Sequence, residues 1–406
     1  MKPPAADDGQ PTRWGHVLVA VGAGMVTAFH VGKLPPALPF LRDELDLSLI
    51  VGGWVVSIFA ATGMCLGLVT GSFADRIGHR RVVLAGLVAL AIGSFGGSLA
   101  VDGPTMLLSR FVEGIGFLTV GVAAPSLIVA AARGKDRGLA LGLWSCYMPA
   151  SMALMLLISP PILQAYDWRV LWQGAAVVSL LWFAVVAVIP MTPRSGGPTT
   201  GRTSFSENVR LTLTRPGPWL LALTFPLYTS QWMALMVWLP TFLLEERSAG
   251  IGSAARLTAL VVAINIVGNL TSGWLMRSDV RHWVLIATAA TVMGLSAAGI
   301  FSSAVPDGLR FALCLIFSGV GGMLPAAILG GAPVMAPTQA QVGTVNGLII
   351  QGSNLGQFLG PPVAAAAVAA SGSWEGAGYV MVGCFVVAVG MALAIRRVET
   401  LSSTGH

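Results

Sequence analysis

Residues 82–101, VVLAGLVALAIGSFGGSLAV, run for 20 positions without a charged side chain. About twenty apolar residues span the hydrocarbon of a bilayer, and comparable runs recur along the whole chain. Only 10% of the 406 residues are charged and 55% are hydrophobic, where a soluble domain carries roughly 25% charge. That balance excludes an ordinary globular enzyme and a disordered chain. The 50 Gly and 24 Pro are scattered through the apolar runs rather than clustered, and membrane helices carry more of both than soluble helices do. The chain is predicted to be an all-α polytopic membrane protein.

Twelve spans are predicted, at 15–38, 49–71, 82–101, 104–131, 138–163, 168–191, 218–243, 255–276, 283–303, 308–333, 343–369 and 376–395. Helix breaks are expected at Pro149, at Pro160–Pro161 and at Pro361–Pro362, because proline removes a backbone donor and clashes with the preceding turn. The polar stretch 192–217, rich in Gly, Ser, Thr and Pro, reads as a linker with a short surface helix near Ser206–Thr214. It divides the chain into a tail 1–14, a six-helix bundle 15–191, a second bundle 218–396 and a tail 397–406. The first residues lack the charged, apolar and small-residue order of a cleaved signal. Cys65, Cys146, Cys314 and Cys384 lie in apolar runs without CxxC spacing, so no metal and no disulfide framework is expected.

Lys and Arg concentrate on one side of such proteins, the cytoplasmic one. With both termini placed inside, 16 of the 23 basic residues fall on the inner side and 5 on the outer, leaving Lys33 and Arg110 within spans. The excess sets both ends in the cytoplasm, in a bacterial inner membrane. It also accounts for the net charge of +6 without nucleic acid.

The second span ends GSFADRIGHRR (71–81) and the eighth ends GWLMRSDVRHW (273–283), an offset of half the chain. Paired prolines and glycines likewise recur in the fifth and eleventh spans. Two parallel repeats place a site at mid-membrane between the halves, opened alternately to each side.

Gly71-Ser-Phe-Ala-Asp75-Arg76-Ile-Gly78-His79-Arg80-Arg81, Arg110-Phe-Val-Glu113-Gly114-Ile-Gly116 and Asp167-Trp168-Arg169 together resemble the major facilitator superfamily of secondary transporters. GLWS (142–145), VWLPTFLLEE (237–246) and NLGQFLGPP (354–362) look most like its cyanate and nitroimidazole transporter branch. The resemblance implies two pseudo-symmetric six-helix bundles. It also implies that Gly71, Asp75, Arg76, Gly78 and Arg80 latch the two halves together when the cavity faces outward. The antiporter signature of the fifth span is poorly met by WSCYMPASMALM (144–155).

Charge inside hydrocarbon costs a few kcal/mol or more and marks function by default. Four ionisable side chains lie deep: His30 and Lys33 in the first span, Arg110 and Glu113 in the fourth. Each pair is spaced i, i+3 and shares a helix face. At 1.5 Å per residue, Lys33 and Arg110 lie roughly 6–8 Å from the outer ends, His30 and Glu113 roughly 10–12 Å. They are expected to form an electropositive cavity for a small anionic solute, with Glu113 or His30 exchanging the coupled proton. An internal Arg110–Glu113 ion pair, a snorkelling Lys33 and a packed His30 are the alternatives. In the second half the candidates are neutral: Tyr228, Gln231 and Trp232 in the seventh span, Asn265 and Asn269 in the eighth, Gln351, Asn354 and Gln357 in the eleventh. Interhelical hydrogen bonding is the alternative for these.

The leading expectation is a monomeric, proton-coupled secondary transporter without cofactor. Its rival is drug or metabolite efflux by proton antiport. HExxH, GxSxG and GxxxxGK[ST] are all absent, which leaves no support for a membrane enzyme or an ATP-driven pump.

Overall fold

Lipid offers no hydrogen bonds to an open backbone, so a chain this apolar must close its polar groups within helices. The computed structural model describes residues 11–133, 136–190, 205–278, 280–302, 304–338 and 341–403, and no strand occurs among them. Six spans make up the first half: Trp14–Glu44, Leu49–Gly67 continuing to Ile77, His79–Gly97, Gly103–Ala131, Tyr147–Ala165 and Arg169–Val188. The second half contains Pro216–Arg247, Ile251–Met276, His282–Ile300, Asp307–Met335, Val342–Ser371 and a last span beginning at Glu375. Eleven of these are long and apolar enough to cross a bilayer by composition. The eleventh span falls outside that set because Asn346, Gln351, Asn354 and Gln357 interrupt its apolar sequence. Of the linker, the short helix Phe205–Leu213 is described, and Gln341 Nε2 donates to its Asn208 at 3.0 Å.

The prolines act differently from expectation. Tyr147–Ala165 runs through Pro160 and Pro161, and Val342–Ser371 runs through Pro361 and Pro362. Of the expected breaks the one at Pro149 is present, and the others come just ahead of different prolines. The first span turns at Lys33, before Pro35 and Pro36. The fifth turns at Cys146, before Pro149, and the tenth at Gly322 and Gly331, before Pro325 and Pro333. Each of these prolines then sits in the first turn of a new helix, where an N–H has no partner in any case.

Odd spans start, and even spans end, at the face that carries the chain termini. There Arg80, opening the third span, donates to the last carbonyls of the sixth, Val186 at 3.2 Å and Ala187 at 2.8 Å. In the second half His282, 202 positions later, opens the ninth span and meets Glu399 of the twelfth at 3.3 Å. Third on sixth and ninth on twelfth are thus the same joint made twice, the architecture of two pseudo-symmetric bundles.

At the far face the halves are sealed together. The outer segment of the first span, Leu34–Glu44, buries Leu34, Ala37, Leu38 and Leu41 completely. Arg42 Nη1 crosses to Glu245 of the seventh span at 3.2 Å, and Gly53 lies against the backbone of Pro362. On the second-half side of this seam, Trp238 Nε1 of the seventh span donates to the Pro361 carbonyl of the eleventh at 3.0 Å. Within the second half, Gly352, Gly356 and Gly360 form one face of the eleventh span. Any Cβ there would meet Ala222, Pro226 or Ser230 of the seventh, at under 2.5 Å in each case. Both rows advance four residues at a time, so the helices meet backbone to backbone.

Candidate functional site

Glu113 is the centre of the polar interior of the first half. Its Oε1 lies 2.6 Å from Lys33 Nζ and 2.9 Å from His30 Nδ1, and Oε2 accepts from Arg110 Nη1. His30, Lys33, Arg110 and Glu113 are all buried, none above 2% exposed. A carboxylate can only accept, so the hydrogen facing it from His30 is on Nδ1; the other ring nitrogen meets Ser179 Oγ of the sixth span at 2.9 Å. Lys33 also donates to Ser94 Oγ of the third span at 2.7 Å, and Ser94 passes a hydrogen bond to the Trp172 carbonyl. The ammonium stands 4.3 Å from the centre of the Trp172 ring. Arg110 spends its other donors on the Val55 carbonyl, 3.2 Å, and the His30 carbonyl, 2.9 Å, while Nη2 is buried without a partner.

All four ionisable residues singled out by depth and spacing are therefore in one cluster. None of the four is among the residues that line the cavity of about 170 Å³ between the halves. Each cation instead faces Glu113. Ser94, Ser179 and Trp172 complete the shell, and sequence reasoning missed them. The only signal of the two serines was a hydroxyl in an apolar run, and Trp172 gave none.

The cavity between the halves is a separate space of about 170 Å³. The first half contributes Phe117, Ser145, Tyr147, Met148 and Pro149. The second contributes Phe225, Tyr228, Thr229, Trp232, Met233, Asn265, Asn269, Pro325, Ser353 and Gln357. By register it lies between mid-span and the termini face. No charged residue lines it among the described residues. Asn265 Nδ2 donates to Tyr228 Oη at 3.2 Å and to the Ser318 carbonyl at 2.8 Å. Trp232 Nε1 donates to Ser318 Oγ at 3.2 Å, and Asn269 Nδ2 to Asn265 Oδ1 at 3.0 Å. One aromatic step connects cavity and cluster: Phe117 packs edge-on against Phe59 at 4.9 Å, and Phe59 lies 5.6 Å beneath the Arg110 guanidinium.

Three other candidates lie elsewhere. Gln231 borders an apolar groove of about 380 Å³ among the seventh, eleventh and twelfth spans. Asn354 packs on Gly63, and Gln351 on Gly67, both at the seam between second and eleventh spans. Of the latch residues, the side chains of Gly71, Asp75 and Arg76 lie outside the described residues. Gly78 makes the turn between second and third spans at φ +100°, a conformation only glycine adopts without strain, and Arg80 binds within its own half.

Two helical bundles around a cavity between them, with ionisable groups buried in one bundle, have the build of a secondary transporter. A family model for the Major Facilitator Superfamily matches residues 18–361, and the chain belongs to that family. It is a transporter rather than an enzyme. It is 27% identical over 270 residues to the cyanate transport protein CynX of Escherichia coli (strain K12), spanning just under two thirds, 66%, of each chain. It is 22% identical over 394 residues to the hexuronate transporter of Bacillus subtilis (strain 168), covering 91% of this chain and 90% of that one. A bacterial homolog of the human lysosomal transporter Spinster, in an inward-facing and occupied conformation, shares the fold. The TM-score is 0.79 at 15% identity, over 97% of this chain and 99% of that one.

Proposed function

We propose that this protein is a proton-coupled carrier of a small solute, with the solute held in the central cavity and the proton taken at Glu113. The observation that supports it most is the placement of Glu113, buried at 1% exposure between Lys33 and Arg110. Adding a proton removes the anion that holds two cations together, and separating the spans that carry them relieves the repulsion left behind. Proton binding is thereby tied to helix movement, as coupling by alternating access requires. An anionic solute has support in the names of the two relatives, a cyanate and a hexuronate transporter; the cations that suggested it from sequence are taken up by Glu113. The preponderance of Lys and Arg on the termini face supports cytoplasmic termini and a cavity displaced toward the cytoplasm in the state described.

The test uses proteoliposomes with an internal pH dye, offered cyanate, a hexuronate and neutral amides. Solute-dependent proton movement is expected, and its direction separates symport from antiport. Replacing Glu113 with Gln alone leaves two buried cations unbalanced, so the double variant Lys33→Met/Glu113→Gln, which restores the original net charge, is the better probe. It should lose proton movement yet retain exchange of labelled solute across the membrane. Proton movement persisting at the original rate in that variant would rule Glu113 out as the proton site.

A further inference from the structure

We infer that His30 receives the coupled proton before Glu113 does, and that Ser179 is the positioning residue that lets the imidazole hold it. The inference rests on the reading of Glu113 as the proton site and adds the route by which that site is charged.

Each oxygen of Glu113 is turned to a cation, Oε1 to Lys33 and Oε2 to Arg110. A proton coming to either meets that positive charge at close range. His30 offers a different approach. Its Nδ1 faces Glu113 Oε1 at 2.9 Å, so Nε2 carries the lone pair of the neutral ring. That lone pair faces the hydroxyl of Ser179, 2.9 Å away. His30 is 2% exposed and Ser179 is 0%, so every polar atom between them needs a partner in each charge state.

Ser179 supplies that partner in both. Its Oγ lies 2.9 Å from the Ala175 carbonyl as well as from the ring. With the ring neutral, the hydroxyl turns its hydrogen to Nε2. With the ring charged, Nε2–H donates to Oγ and the hydroxyl hydrogen turns to the Ala175 carbonyl. The backbone beneath the ring is held as well, since Arg110 Nη1 donates to the His30 carbonyl at 2.9 Å. The charged groups acting on the imidazole among the described residues are Glu113, which attracts the added charge, and Lys33 and Arg110, which oppose it.

The same proton has opposite effects at its two positions. On His30 it leaves Glu113 ionised, with three cations gathered on one carboxylate. Transfer across the 2.9 Å contact breaks Nδ1–H and forms Oε1–H, leaving the ring neutral with its hydrogen on Nε2. The total charge of the four side chains is unchanged, but Lys33 and Arg110 lose the anion between them. The first state keeps the first and fourth spans together, and the second presses them apart.

Solid-state nitrogen NMR of the full chain in liposomes, with ring-labelled histidine, tests this as the pH is lowered. The His30 signal is the one lost in His30→Gln. The carboxylic acid of Glu113 is followed in parallel by infrared absorption, as the carbonyl band lost in Lys33→Met/Glu113→Gln. The imidazolium of His30 should appear at higher pH than that band. Ser179→Ala should lower the ratio of charged to neutral ring about tenfold at a given pH. Ser179→Thr, which keeps the hydroxyl, should restore it, and melting temperatures check that both variants fold. A ring that stays neutral wherever Glu113 is protonated, or a ratio unmoved in folded Ser179→Ala, would overturn the inference and leave Glu113 as the proton site. A ring that charges beside a Glu113 ionised at every pH would overturn both, by leaving the proton on His30.

Discussion

Lys33, Arg110 and Glu113 leave one excess positive charge buried when all are ionised, and this makes their substitutions unequal. Glu113→Gln strands two cations, a loss of the kind that costs about 3–5 kcal/mol. Lys33→Met leaves the balanced Arg110–Glu113 pair. The melting temperature should therefore fall far more in Glu113→Gln than in Lys33→Met, and the double variant should recover most of the difference; thermal unfolding in detergent reads all three. That four ionisable residues at matched depth would meet was legible, because i, i+3 spacing puts each pair on one face. Which neighbours that face would meet was not, since hydroxyls such as Ser94 and Ser179 are common in apolar helices and give no directional signal. The same gap hid that the cations would be taken up by one carboxylate and would be absent from the lining of the cavity between the halves.

Helix placement was legible from hydropathy, while helix continuity was not. A proline in the first turn of a new helix and one in a helix interior look alike in sequence, yet Pro149 follows a break at Cys146 and Pro361 follows none. The glycine face of the eleventh span carries a prediction at this scale. Gly356→Ile would drive a branched side chain into the Pro226 carbonyl and Thr229 of the seventh span, costing about 1–3 kcal/mol or more through overpacking. The same change at Gly343, which has open space around it, should be nearly neutral; paired melting curves compare them. The fourth span opens with Asp102 as its cap, the carboxylate accepting from Thr105 N and Oγ1 at 2.9 Å and 2.6 Å. Those hydrogen bonds lower its pKa from the ordinary aspartate value of 3.8. A group lowered on folding lends stability above its unfolded pKa and loses it as pH falls through the folded one. Asp102→Ala should thus lower the melting temperature near neutral pH and cease to matter in strong acid.

For the molecule as a whole, the far face is closed by apolar packing with one exposed ion pair laid across it. Exposed pairs contribute about 0–1 kcal/mol, so Arg42→Ala should raise the open fraction by a few-fold at most. Gly53→Leu, meeting the Pro362 backbone directly, should open it much more. A cysteine at Leu38, wholly buried in the seal, reports both through its labelling rate with a membrane-impermeant maleimide. Equal rates in all variants would show that the seal does not depend on these contacts.

The turn at Lys33 makes the first span a jointed lever with the ammonium at its fulcrum. The arm beyond it, Leu34–Glu44, is 11 residues long, so a tilt of about 10° at the joint swings the Arg42 region by roughly 2–3 Å. That is enough to part Arg42 from Glu245, now 3.2 Å away. On the proposed coupling, a proton taken at Glu113 would be levered through this arm into the parting of the far face.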